Sequence, residues 1–431
     1  MDLRLVWHRG DLRTHDHPAL QAAQAAGPAV GLVILDPANL QTSPRRRSWF
    51  FQNVSALRAA YRQRGGELLV RSGVPWEVLP QVVGELQAVA VHAVTSYTPY
   101  GRHRDRRAEG AAGVPVHWHG GNYLREPGSL RSQSGQPFRV YTPYARQWWA
   151  AAWPKIWDQP ERLEAGGVRD TQECPQESSD VPLPPAGEEA ALSALDRFLE
   201  TGLPDYATQR DALDGRGVSR LSSYFNIGVL SVRLAASRAL QRGGQGATKW
   251  VAELAWRDFM ADLLYHRPQL LTETFDPRWE ELPWQEDPEA FAAWKAGQTG
   301  IPVIDAGMRE LRATGFLSNR ARMVVAQFLV KGLLLPWNWG EATFKEWLVD
   351  GDSASNALGW QWAAGLGVDA APYFRVFNPV RQGAEHDPEG SWLRRWVPES
   401  GGSPEPYQDR FDLQRLRQRY LQAAQQLHGA R

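Results

Sequence analysis

Along the first ~120 residues, short apolar runs alternate with stretches whose apolar positions recur every three or four residues. Leu3–Trp7, Ala29–Leu35, Glu67–Val70, Val89–Thr95 and Val114–Trp118 have the length and composition of strands, and Pro18–Ala26, Ser48–Arg64 and Trp76–Leu86 carry the helical period between them. Such alternation predicts a five-stranded parallel, Rossmann-like sheet with helices and right-handed crossovers. Periodicity then fades. Residues 158–189 turn to Pro, Gly, Ser, Glu and Gln, including VPLPPAGEE, a composition with little capacity to form a core. Beyond Ala190 strand patterns vanish, and amphipathic helical runs broken by Gly and Pro continue to the end. The expected organisation is α/β plus all-α: an α/β domain over 1–125, an interdomain linker over 126–190 and a helical domain over 191–431.

Composition narrows the class. A chain of 431 residues exceeds one ordinary core, and 43% hydrophobic with 22% charged residues fits a globular protein. Formal net charge is zero, so a nucleic-acid partner must be argued from a local basic face. Arginine far outnumbers lysine, which suits bidentate phosphate contacts, although a compositional bias of the genome explains the ratio better. The single Cys174 excludes an internal disulfide framework, and no Cys/His cluster has zinc spacing, so no metal site is expected. A reducing, cytoplasmic location follows. The opening MDLRLVWHRGDLR lacks the apolar run of a signal peptide, and no segment reaches the ~18–20 apolar residues of a membrane span. No GxGxxG or Walker loop is present, though a ligand would still find the carboxyl ends of the strands. Twenty tryptophans are the outlier, most of them from Trp153 onward.

Four stretches concentrate chemistry. DGDSASNALGWQWAAGLGVDAAPYFRVFNP, from Asp350 to Pro379, puts Asp350, Asp352, Asn356, Trp360 and Trp362 within about three helical turns. Core packing rarely needs large aromatics so close to acids and amides, because each buried polar group must find a partner. A planar aromatic ligand with a polar edge accounts for them. GVSRLSSYFNIGVLS, from Gly217, sets Ser219 and Ser222 around Arg220 just before a helix: a phosphate cradle or, more commonly, an N-cap beside a solvated arginine. In KWVAELAWRDFMADLLYHRP, Glu253, Trp256 and Arg257 share one helix face, with Trp250 one turn earlier. A surface ion pair over a core tryptophan is the usual explanation, yet an aromatic–acid–aromatic–base face suits solvent poorly. FLSNRARMVVAQFLVK places Asn319 and Met323 on one face with Arg320 and Arg322 elsewhere, a pattern an amphipathic core helix also gives.

Together these strings resemble the DNA photolyase and cryptochrome family over nearly the whole chain, Leu3 to about Arg395, most strongly from Gly217 to Gln382. The resemblance implies an antenna-chromophore domain over 1–125 and a helical FAD- and lesion-binding domain over 191–431. It implies FAD held by Tyr206, Ser219, Arg220, Leu221, Ser222, Trp250, Glu253, Arg257, Arg322, Asp350, Asp352 and Asn356. Val218 stands where a threonine is usual, which removes one hydroxyl contact. Arg322 is expected to pair with Asp350, since a compensated cation near the flavin favours its anionic reduced form. The family pattern assigns catalysis to Glu253, Asn319, Met323 and Asn356. It assigns contact with damaged DNA to Arg210, Trp256, Asn319, Arg320, Trp362 and Arg375, and an electron relay to Trp284, Trp337 and Trp360. WHRGDLRTHDHPAL and YTPYGRHRD resemble antenna-site segments and single out His8, Arg9, Tyr100 and Arg104, although loop polarity explains the first string equally well. A deazaflavin or FMN antenna is favoured over folate, because folate-binding members have an Asn-Glu pair about where His103 and Arg104 stand.

Individual residues point to one branch. Asn356 matches the photolyase amide where plant cryptochromes carry Asp, and the pocket for a cyclobutane dimer is complete. Photolyases for the (6-4) lesion carry histidines near Asn319–Arg320, and none is present there. The chain also stops at Arg431 without a long signalling tail. The expectation is a class I cyclobutane pyrimidine dimer photolyase, a monomer that binds ultraviolet-damaged DNA and no membrane. Photolyases are among the enzymes known to extrude their target from the duplex. Excited, fully reduced FADH⁻ would donate an electron to the dimer, the ring would split, and the electron would return. A cryptochrome-type blue-light receptor is the alternative; an FAD oxidoreductase would need a nicotinamide fingerprint that is missing.

Overall fold

The computed structural model describes residues 2–170, 173–370, 372–408 and 410–429. Strands β1 (Arg4–His8), β2 (Ala29–Leu35), β3 (Leu68–Ser72), β4 (Ala90–Val94) and β5 (Val116–His119) form one parallel sheet in the order β3-β2-β1-β4-β5. Strands β2 and β4 are buried along their whole length, which is why they read as continuous apolar runs without alternation. The helix Pro18–Ala26 lies where expected, with the His17 ring accepting from Leu20 N–H as its N-cap. The helix expected from Ser48 starts at Pro44 instead, because proline is at home in a first helical turn. A helix over Pro99–Ala111 was not expected. Its polar sequence hides the period, and the Thr98 hydroxyl that accepts from Gly101 N–H starts it.

The described chain divides into two compact units, 1–137 with 144–204 and 219–266, and 138–143 with 205–218 and 267–431. Neither expected boundary, 125/126 or 190/191, marks the edge of a unit. Buried acids explain why. From the helix Gly244–His266, Asp258 Oδ2 accepts from Leu124 N–H (3.1 Å), Arg125 N–H (2.9 Å) and Trp148 Nε1–H (2.9 Å), and Asp262 Oδ1 accepts from Gly128 N–H (2.7 Å). The start of the presumed linker is thus fastened to a helix more than 120 residues away in sequence. Its later part, of which Thr171 and Gln172 lie outside the described residues, is held by charge. Asp180 and Glu177 take two-pronged contacts from Arg45 and Arg47, and Asp170 pairs with Arg58.

The polar opening signature is buried in the first unit as a strut. Arg13 donates to the carbonyls of Gly228 (2.9 Å) and Gly121 (2.8 Å), and Asp16 pairs with Arg233 through two hydrogen bonds of 2.8 and 2.9 Å. Gly228 is required there: its φ is +63°, and a Cβ would fall 2.3 Å from the Gly10 carbonyl. In the second unit the core is helical, with Trp294, Met308, Val325, Leu329, Phe344 and Trp360 among its buried members. The helix Asn319–Gln327 there continues into a π-helical turn, Phe328–Gly332.

Burial pushes the Asp258 carboxyl up to about 7, against smaller opposing pulls from Arg257, the Trp148 indole and the Arg125 N–H. An acid with a raised folded pKa costs stability once it must ionise, so stability falls as pH rises from the ordinary aspartate range through about 7. Asp258→Asn keeps the acceptor without the charge. Urea denaturation should find it at least as stable as the parent at pH 8, with a smaller stability difference between pH 5 and pH 8. Asp258→Ala strands three donors and should lose ~1–3 kcal/mol at either pH.

Candidate functional site

Within the first unit, the segment before the short helix Ser222–Asn226 turns at Arg220, whose φ of +52° is uncommon outside glycine. Ser219 and Ser222 flank it half-buried, while Leu221 is fully buried. The turn is fixed from below: Trp49 Nε1–H donates to the Ser223 carbonyl (3.2 Å) and the Tyr224 hydroxyl to the Pro185 carbonyl (2.7 Å). On the helix Gly244–His266, Glu253, Trp256 and Arg257 share a half-buried face, as their spacing requires. The Trp256 ring meets Phe259 edge-on at 5.8 Å. Two expected cofactor contacts have other partners. Trp250 is a core residue packed on Phe198 and Phe225, and Arg257 donates to the Asn122 carbonyl (2.8 Å) with its guanidinium over Tyr123.

Within the second unit the expected ion pair is present. Arg322 Nη2 donates to both oxygens of buried Asp350 (2.8 and 3.0 Å), and its Nε donates to the Leu317 carbonyl (2.8 Å). Asp352 caps the helix Ser353–Ala364 by accepting from Ser355 N–H (2.7 Å). One turn on, Asn356 Nδ2 donates to Glu341 Oε1 (2.7 Å), a residue no motif marks. Trp360 is 2% exposed, and its indole N–H has no hydrogen-bond partner among the described residues. Its ring rests on Gly340, where a Cβ would fall 2.1 Å from Trp360 Cη2. The structure brings Trp360 against Phe344 (4.9 Å) and Trp294 (6.1 Å), and not into ring contact with Trp337 or Trp284. Trp337 is buried; Trp284 and Trp362 are half-buried.

Asn319 Nδ2 lies 3.8 Å from Met323 Sδ, so the predicted shared face is real. Arg320, expected on phosphate, pairs instead with Asp211 (2.9 Å) and donates to Gln382 (3.3 Å). Arg210 covers the ring of buried Tyr206 at 5.8 Å, and Arg375 is exposed.

Residues 4–162 match the DNA photolyase family, and residues 250–427 match the FAD binding domain of DNA photolyase. The deoxyribodipyrimidine photo-lyase of Thermus thermophilus is 57% identical over 423 residues, spanning 98% of each chain. The chain belongs to the DNA photolyase family. A class III photolyase from Agrobacterium tumefaciens superposes with a TM-score of 0.90 at 31% identity, covering 100% of this chain and 98% of its own. A Synechocystis cryptochrome does so with a TM-score of 0.89 at 26% identity, covering 98% and 99%.

For this photolyase family member, the antenna candidates divide by burial. His8 is fully buried: its Nδ1–H donates to the Asp11 carbonyl (3.0 Å) and its Nε2 accepts from the Tyr61 hydroxyl (2.7 Å), which leaves no ring atom for a ligand. His17 Nε2–H donates to Asp11 (2.7 Å). The His8–Asp11–His17 cluster has the proximity of a metal site, but its nitrogens are committed to protein partners. Arg9 and Arg104 are buried and both bond Asp105, at 2.9 and 2.7 Å. Half-buried Tyr100 donates to Asp36 (2.6 Å) at the carboxyl end of β2.

Lys331, a lone base in the run FLVKGLLLP, went unmarked by any motif. It is 1% exposed within the π-helical turn, and its Nζ donates to the carbonyls of Arg375 (2.9 Å) and Tyr373 (3.3 Å). It thereby holds the loop that presents Arg375 and Phe374, the latter 63% exposed. Burial first, then the charge of Arg375, lowers its pKa to about 7. Between about 7 and the ordinary lysine value the unfolded chain holds a proton that the folded one has released, so stability rises with pH across that window. Lys331→Met should abolish this rise. Denaturation at pH 6.5 and 9.5 should show the parent gaining on the variant at the higher pH; an unchanged difference would mean that Lys331 does not titrate near neutrality.

Proposed function

We propose that this chain is a class I cyclobutane pyrimidine dimer photolyase, which binds ultraviolet-damaged DNA and repairs the dimer in blue light using reduced FAD. The observation that carries the reading is the preserved lesion set: Glu253 and Trp256 on one half-buried face, and Asn319 held beside Met323 at 3.8 Å. The residues also fit FAD. An orphaned indole donor at Trp360 and a buried carboxylate already compensated by Arg322 are what a polar flavin edge requires.

When bound, FAD supplies the light-driven electron, and the protein positions and tunes. Ser219, Arg220 and Ser222 take the diphosphate, while Asp350, Asp352 and Asn356 line the flavin with Arg322 as the local cation. Trp256 and Trp362 receive the extruded dimer, and Arg210 and Arg375 bind phosphate with the salt dependence such contacts bring. Glu253 hydrogen-bonds a pyrimidine carbonyl. A second chromophore, deazaflavin or FMN, belongs near Tyr100 and Arg104, and the enzyme works as a cytoplasmic monomer. Similarity to the Synechocystis cryptochrome keeps a photoreceptor as the second reading. Among the described residues, no helix is long and apolar enough to cross a membrane.

Glu253→Ala tests the lesion set that carries the photolyase reading. FAD content should stay at the parental level while affinity for dimer-containing duplex drops by ~1–3 kcal/mol, the scale of an unpaired buried polar group. Affinity for undamaged duplex should barely move, since phosphate contacts dominate it. Filter binding on both duplexes, with a repair assay on pre-reduced enzyme, measures all three. Wild-type repair with unchanged damaged-DNA affinity would remove Glu253 from the lesion site, and a pre-reduced parent enzyme that repairs no dimers would favour the photoreceptor.

A further inference from the structure

Trp360 stands at the head of a second row of rings, all within the second unit. It meets Trp294 edge-on at 6.1 Å; Trp294 stacks on Phe291 at 5.8 Å and 18°; Phe291 meets Trp339 edge-on at 5.1 Å. Trp294 is fully buried, as Trp360 nearly is, whereas Phe291 and Trp339 are half-buried. Those two help line an open cavity of about 390 Å³. Lys295 and Glu346 line it too, and their ion pair (3.0 Å) leaves that wall with no net charge. Trp339 is also the chain neighbour of Gly340, on which the Trp360 ring rests.

We propose that Trp360, Trp294 and Trp339 form a second electron-entry route, distinct from Trp337 and Trp284, that opens at the cavity beside Trp339. The proposal rests on the reading that Trp360 lies next to the bound flavin. Solvation sets its direction. A positive hole left on Trp360 is costly in a buried, weakly polarisable interior and becomes less so toward water. Trp294 donates its indole N–H to the Val325 carbonyl (3.0 Å), an acceptor that cannot keep the proton, so the hole passes through without being trapped. Phe291 is too hard to oxidise to be a station and serves as the bridge between two indoles. At Trp339 the cavity admits water.

The balance closes with one electron and one proton. Trp360 gives an electron to the light-excited oxidised flavin, Trp294 refills Trp360, and Trp339 refills Trp294. The Trp339 radical cation loses its indole proton to water, and a thiol in solution returns an electron and a proton to the neutral radical, forming half a disulfide.

The test uses FAD-loaded enzyme, with FAD content per chain checked by absorbance in every variant. Flavin photoreduction with thiol present is followed spectroscopically. In parallel, illumination in air without thiol is followed by peptide mass spectrometry for oxygen adducts on tryptophan. In Trp337→Phe, photoreduction should persist above the level of Trp360→Phe, with adducts concentrated on Trp339. Adding Trp339→Phe, a mild change at a half-buried site, should bring photoreduction down to the Trp360→Phe level and remove those adducts. No residual photoreduction in Trp337→Phe, or a residue indifferent to Trp339→Phe, overturns the route. If Trp360→Phe itself leaves photoreduction and the adducts at Trp339 intact, the placement of Trp360 beside the flavin is what fails.

Discussion

The first unit depends on an aspartate paired with an arginine where no water reaches it. Asp16 is fully buried, adopts a left-handed φ of +44°, and meets Arg233 with two oxygens. Its Oδ1 also accepts from Trp157 N–H (3.0 Å), and Ser231 donates to the other oxygen. One side chain therefore secures the end of the opening signature, the early linker and the helix Val232–Arg242. Such a charge is tolerable only with every partner in place, because removing one strands the other, a loss of ~3–5 kcal/mol. The polar string after β1, which resembles an antenna-site segment, is in large part this strut.

Elements with one dominant cause were legible in advance. Strands β2 and β4 announce themselves because both faces are covered, and the 18–26 helix because Pro18 and His17 fix its start. The Pro99–Ala111 helix was hidden, since its buried side includes Gly101, Arg104, Asp105 and Ala108 and owes more to ion pairing than to apolar period. Domain edges were hidden too. They follow hydrogen bonds that backbone N–H groups donate to Asp258 and Asp262, and backbone partners leave no trace in composition.

At the candidate site, helical spacing alone placed Asn319 beside Met323 and Glu253 beside Trp256. The Arg322–Asp350 pair, 28 residues apart in sequence, came from resemblance rather than from spacing. Neither route saw what several arginines actually hold. Arg257 is taken by a loop carbonyl and Arg320 by Asp211, and both partners are distant and unremarkable in sequence. Lys331 carried a signal in its apolar surroundings, but its meaning depends on two carbonyls more than 40 residues on.

Gly340 has a consequence for how the sequence can drift. Its backbone φ is not positive, so glycine is kept for the missing methyl alone, which would overlap the Trp360 ring. Alanine is a single nucleotide away and a better helix former by roughly 1 kcal/mol. The genetic code and helix propensity thus push this position the same way, and the indole pressed against it pushes back, with Leu329 Cδ2 also 2.7 Å from a Cβ there. Drift at residue 340 therefore reports on residue 360: a lineage that lost the tryptophan ring could fill the space once the flexible end of Leu329 gave way.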